Sequence, residues 1–380
     1  MSDRKHESEC EIMQLYLEIK ENKITVQCQI MVSSDSFSFA LGATLEVFHF
    51  KNNQTEVFPV VEPYEFQFRP PMKKYTLSKL EKGILSFEYY GILEGNLLFM
   101  QEEIYHFSLY NGWYPIGFDV MEEYELTVKC EEAYKLINGC FDSDARCWHY
   151  TTQNQSLVDC NIMLINKAKA HCLENDGISL YYFNDEYKKI LQLFFEEYTS
   201  IYQFYLSLYQ NNKLNFNTIV FLPKKFQLGA YKRDNLIVFS EVSKDLKKEI
   251  HKLAHEMAHA YAVGADMHSW EDWLNETHAE WSALLYEEEY HPAYFEHLIQ
   301  IKKENYQGDW RLNPKDGHRP NDVHETGTLL YYKIYQKYGS EAIRTLLRAF
   351  DRSEEKQTTA FLNMLMEEEP KLAKEIDSLI

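Results

Sequence analysis

No stretch of the 380 residues stays apolar long enough to cross a bilayer. The polar start Met1-Ser2-Asp3-Arg4-Lys5-His6-Glu7 is followed by no apolar signal core, so the expected location is the cytoplasm. Positive charge is short: 39 Lys and Arg stand against 59 Asp and Glu, a net charge of −20. That balance argues against nucleic acid or an anionic membrane surface as the main partner. There is no C-x-x-C pair. The seven cysteines (10, 28, 130, 140, 147, 160 and 172) are odd in number and widely spaced, which fits reduced, scattered thiols. None lies beyond residue 172, so any metal bound further along would take nitrogen and oxygen ligands. No internal repeat and no low-complexity segment is visible.

What is present describes an α+β protein. Aromatic residues make up 15% of the chain, in keeping with extended structure and large packed surfaces. Residues 11–130 alternate apolar and polar in short runs, such as Ile24-Thr25-Val26-Gln27-Cys28-Gln29-Ile30, separated by turn signals such as Asn52-Asn53 and Pro70-Pro71. Strand-like runs continue through Cys160–Ile165 and Ile178–Phe183. The periodicity then becomes helical from about Glu186 to Gln210. Two strands are expected at 217–223 and 235–240, and helices near 244–263, 273–287, 323–338, 340–350 and 358–367. The length suits two domains: a β-rich domain over 1–183, then a mainly helical domain with a small sheet over 184–380.

Chemistry is dictated by spacing at one place. Residues 255–259 read His-Glu-Met-Ala-His, and Trp273-Leu274-Asn275-Glu276 follows. Histidines four apart share one helix face and can reach one metal ion, while Glu256 between them can reach water held there. Leu246, Ile250, Leu253, Met257 and Tyr261 form an apolar stripe on nearly the opposite side of the same helix. On the next helix, Glu276 and Glu280 fall on the arc of Trp273, Thr277, Trp281 and Leu284. Carboxylates on a buried arc are costly unless they bind a metal or pair with something. Glu276 is therefore the candidate third ligand, with His278 as an alternative. Glu280, one turn further on, is placed to accept the outer N–H of a ligating histidine.

At these residues the chain resembles the gluzincin metallopeptidases, and within them the zinc aminopeptidase family that includes alanyl aminopeptidase and leukotriene hydrolase. That family carries H-E-x-x-H and then a W-L-N-E segment whose glutamate is the third zinc ligand. Gly112-Trp113-Tyr114-Pro115, Gly229-Ala230 with Leu236-Ile237, and His324-Glu325-Thr326-Gly327 extend the likeness, in order, over roughly residues 20–365. The resemblance implies a β-sheet saddle domain, a thermolysin-like catalytic domain and one Zn2+ per chain held by His255, His259 and Glu276. It also implies a peptide substrate at Gly229 and Ala230.

Four departures stand out. Sixteen residues separate His259 from Glu276 where the family has eighteen, a spacing that would reach His278. The family's glutamate that holds a substrate N-terminus aligns with Lys232, and the following asparagine with Arg233. These cations would meet an acidic substrate group or point to solvent. The family's transition-state tyrosine falls at His324, with Tyr331 and Tyr332 nearby; a histidine can also donate a hydrogen bond to an oxyanion. The large C-terminal helical domain of many members has no counterpart, which implies a more open cleft.

The expected activity is zinc-dependent peptide hydrolysis, aminopeptidase-like by resemblance, with Glu256 as base and His324 as oxyanion donor. An endopeptidase or other zinc hydrolase is the first alternative. A zinc-binding interaction protein without catalysis is the second.

Overall fold

The computed structural model describes the chain except residues 1–11, 21–22, 66–69, 95–98, 118–122, 152–159, 224–228, 234, 268, 307–311, 313–316, 318 and 320–321. It is an α+β protein that separates into two compact units, Met1–Cys172 with Tyr181–Phe183, and Leu173–Leu180 with Asn184–Ile380. No helix among the described residues is long and apolar enough to cross a membrane.

The first unit is built from sheets. The widest orders its strands Cys140–Asp142, Cys147–Thr151, Glu123–Lys129, Ile12–Lys20, Lys23–Val32, Gly83–Gly91, Leu45–Asn52 and Thr55–Glu56. Alternation decides which face is dry: in Lys23–Val32, Ile24, Val26, Cys28, Ile30 and Val32 are buried and the residues between them exposed. Two four-stranded sheets complete the unit. Trp113 of the Gly-Trp-Tyr-Pro segment is fully buried, and its indole N–H donates to the carbonyl of Cys160 at 2.9 Å. That bond satisfies the one polar atom of a large core side chain.

The second unit carries eight α-helices among its described residues: α1 Lys188–Tyr209, α2 Leu246–Ala258, α3 Asp272–Tyr290, α4 Pro292–Asn305, α5 Val323–Tyr338, α6 Ser340–Arg352, α7 Thr358–Glu368 and α8 Pro370–Asp377. Helices α4 and α8 carry no expectation from periodicity. Each opens on a proline at its first position, where the missing N–H costs nothing. The strands Thr218–Phe221, Leu236–Phe239 and Ala230–Arg233 lie side by side in that order and end a five-stranded sheet, with Ala230–Arg233 at its edge.

Helix α3 is the axis of this unit. From Asp272 to Glu287 every residue is buried except Glu276. A helix apolar on most sides must be enclosed by neighbours, and here α2, α4, α5 and α6 all pack on it. Trp273 donates to Thr358 Oγ1 at 2.8 Å and Trp281 to the carbonyl of Thr328 at 2.9 Å, so neither indole leaves a buried donor unpaired. Gly327 of α5 meets α3 at Thr277, where a Cβ would run into the hydroxyl oxygen. The small residue lets the two helices approach.

Candidate metal centre

Helix α2 is shorter than the expected 244–263. Asp245 caps it, its carboxylate accepting from the backbone N–H of Lys248 at 3.3 Å, and His259 is the last residue before the chain turns. The turn has two causes. Gly264 adopts φ of +107°, which side-chain-bearing residues avoid. Asn275 clasps the following residue, accepting from the N–H of Ala265 at 3.1 Å and donating to its carbonyl at 3.0 Å. The asparagine of the Trp-Leu-Asn-Glu segment thus ties the end of α2 to the start of α3, beside Glu276.

Three histidines converge on Glu276. Its Oε2 lies 3.4 Å from His255 Nε2, 3.1 Å from His324 Nδ1 and 3.9 Å from His259 Nε2. The same oxygen is buried and has no hydrogen bond of good geometry. A buried carboxylate oxygen left without a partner is costly unless something else binds it. Ligands of a tetrahedral ion held at 2.0–2.1 Å lie about 3.3–3.4 Å apart, so the nitrogen and oxygen donor set and the His255 and His324 spacings fit zinc, while His259 stands further off at 3.9 Å. His255, Glu276 and His324 place ligand atoms within 4.8 Å of one another.

Behind His255 runs a buried charge network. His255 Nδ1 lies 2.9 Å from Glu280 Oε2, while Glu280 Oε1 accepts from Lys302 Nζ at 2.6 Å and lies 3.3 Å from His251 Nε2. His251 Nδ1 is 3.7 Å from Glu287, which in turn pairs with His291 at 2.9 Å. Burial alone would raise the Glu280 carboxyl, but Lys302, His251 and His255 hold it well below the ordinary carboxylate range. Glu276 is likewise opposed by burial and lowered well below that range by His324, His255 and His259. Burial works against the His255 imidazolium, yet the two carboxylates facing it, Glu276 and Glu280, prevail and push it up to about 10.

Glu256 is 8% exposed on α2. Glu280 lies on the outer side of His255, with Oε2 2.9 Å from Nδ1. His278 does not reach the centre. It is buried with Nδ1 2.5 Å from the carbonyl of Leu274 and Nε2 3.0 Å from Tyr331 Oη, its ring stacks on Phe350, and burial lowers it to about 3. That contact engages Tyr331 in the core, and Tyr332 lies under the ammonium of Lys303.

The strand expected at 235–240 has no side open to an added substrate strand. Leu236–Phe239 is paired on both sides, parallel with Thr218–Phe221 and antiparallel with Ala230–Arg233. Both rows of its backbone groups are therefore engaged, and among the described residues Ala230–Arg233 is the outermost strand of this sheet. Gly229, at φ of +76°, precedes it and faces the Lys252 side chain of α2. Lys232 and Arg233 are half-buried on this edge, with the Arg233 guanidinium folded back over the Tyr231 ring and onto the carbonyl of Lys232.

Three participants escaped the sequence. His251 stands four residues before His255, so its place on the same face of α2 was readable. Lys302 lies on α4, whose apolar periodicity is weak. Arg319 comes from the segment before α5. Its Nε donates to Asp272 Oδ2 at 2.5 Å, and its Nη2 lies 3.8 Å from Glu276 Oε1. No sequence signal marks it.

No protein-family model and no curated protein sequence matches the chain. Solved structures do. Native leukotriene A4 hydrolase from Saccharomyces cerevisiae superposes with a TM-score of 0.67 at 14% identity, over 96% of this chain and 66% of that one. The M1 zinc metallopeptidase from Deinococcus radiodurans gives a TM-score of 0.63 at 12% identity, over 97% of this chain and 93% of that one. The chain thus spans about two thirds of the hydrolase's length and shares the fold of both.

Proposed function

We propose that this chain is a zinc-dependent peptidase with one zinc per chain, held by His255, His259 and Glu276. One observation carries the reading: the Oε2 of Glu276, buried and without a hydrogen bond, sits where three imidazole nitrogens converge. The zinc metallopeptidase among the fold neighbours supports it.

Bound there, zinc would supply Lewis-acid activation of a carbonyl and of water. Glu256, on the same helix as both ligand histidines, takes the proton of the attacking water and passes it to the leaving amine. His324 donates a hydrogen bond to the developing oxyanion. Glu280 holds His255 by its outer nitrogen and keeps Nε2 turned inward.

Aminopeptidase and endopeptidase readings differ at Lys232. By the resemblance Lys232 stands where the family holds a substrate N-terminus, and an ammonium there repels a free N-terminus and attracts a carboxylate, which favours cleavage within a chain or next to acidic residues.

Metal analysis of purified protein is expected to give about one zinc per chain; no zinc after reconstitution would refute the proposal. Internally quenched peptides and aminoacyl reporters separate the two activities. Turnover of reporters alone would reject the endopeptidase reading.

A further inference from the structure

His324 has two rival uses at this centre. With a lone pair on Nδ1 it would be a further metal ligand, because that atom lies 3.1 Å from Glu276 Oε2, close to the spacing of two ligands on one ion. With a proton on Nδ1 it is a hydrogen-bond donor. The far side of each ring decides between these uses. His255 Nδ1 faces the carboxylate of Glu280 at 2.9 Å, and His259 Nδ1 faces the carbonyl of Ala262 at 3.0 Å. Both partners accept only, so in the neutral ring each Nδ1 carries the proton and each Nε2 turns a lone pair inward.

His324 is held the other way. Its outer nitrogen, Nε2, lies 3.4 Å from Arg319 Nη2. A guanidinium has donors and no lone pair. The Nε2 of His324 must therefore accept, and the single proton of the neutral ring must sit on Nδ1, facing the metal centre. Arg319 is itself fixed: Asp272, 3% exposed, accepts from its Nε, and Asn275 Nδ2 donates to the same carboxylate at 2.9 Å.

We infer that Arg319 is a positioning residue that sets the tautomer of His324, keeping it a donor to the reacting group and barring it from the metal. An acceptor behind the ring makes a ligand, and a donor behind the ring makes a donor. The inference rests on the zinc-peptidase reading and adds why the fourth coordination position stays open beside a third histidine.

The test uses zinc-loaded full-length protein with nitrogen-labelled histidine rings, assigned by a His324→Gln difference spectrum. In the wild type, His324 is expected to carry its proton on Nδ1, and X-ray absorption to count two histidines on zinc. Arg319→Lys keeps a donor and should keep the tautomer. Arg319→Met alone would strand a buried carboxylate, so it is combined with Asp272→Asn. In that double variant the proton is expected to move to Nε2 and a third histidine to join the zinc. Zinc should then bind at least about tenfold more tightly while kcat falls, whereas a merely structural role would weaken zinc binding. Wild-type His324 protonated on Nε2, or a double variant with unchanged tautomer, would overturn the inference while leaving the zinc reading intact. A folded wild type that binds no zinc would remove both.

Discussion

Glu256 and Glu280 are both buried carboxylates, and in the proposed centre they should fail differently when changed. Glu256→Gln removes a proton acceptor without touching a ligand, so kcat should drop by about 10²–10⁴ with zinc content unchanged. Turnover assays paired with metal analysis check this, and retained turnover would dismiss Glu256 as the base. Glu280→Gln keeps the shape but loses the charge that His255, His251 and Lys302 all address. Zinc affinity should fall by about 10–100-fold, read by competition with a chelator. The sequence made these two glutamates legible because each lies at a fixed helical offset from a histidine or from Glu276. Arg319 was not legible for the opposite reason: its role is set by contacts with Asp272 and His324 that no periodicity encodes.

Helix pairs set the next scale. The close approach of α5 to α3 depends on Gly327, whose missing Cβ leaves room for Thr277. Gly327→Val should destabilise the protein by at least about 1–3 kcal/mol through overpacking, and denaturant unfolding would measure it. Because Thr277 follows Glu276 and Gly327 lies one turn from His324, the same variant should also weaken zinc binding; an unchanged affinity would show the centre to be insulated from this contact. Long amphipathic helices such as α1 and α5 were plain from spacing. Helix α4 was hidden by weak apolar periodicity and α8 by its length of 8 residues, although Pro292 and Pro370 marked their first turns. The end of α2 could not be read either, since the Asn275 clasp that accompanies it comes from a residue on the following helix.

For the whole molecule, the metal-free state has a pH signature. The pKa of His255 in the folded chain is about 10 against an ordinary 6.5. Folding therefore favours the protonated ring. That contribution is fully present below pH 6.5 and is lost as pH rises towards about 10. Zinc needs the deprotonated ring, so its affinity should rise over the same interval. Melting temperatures taken with chelator should fall from pH 6.5 to 10, while the gap between zinc-loaded and chelated protein widens. A gap that narrows with pH would reject His255 as a ligand. The two-part architecture was visible as a change of texture from alternation to helical periodicity. The division itself is less tidy than a single cut, because residues 173–180 go with the second unit and 181–183 with the first.

One consequence of the enclosure of α3 reaches beyond the chemistry. Its one half-open residue among sixteen consecutive positions is Glu276, and the others are walled in by α2, α4, α5 and α6. Variation at this centre and variation in the core are then the same variation. In a lineage drifting towards a new reaction, any change along α3 would be screened first for folding. Glu276 is then protected from drift by its neighbours, whatever it binds, so the proposed zinc-binding shell would outlast a loss of catalysis.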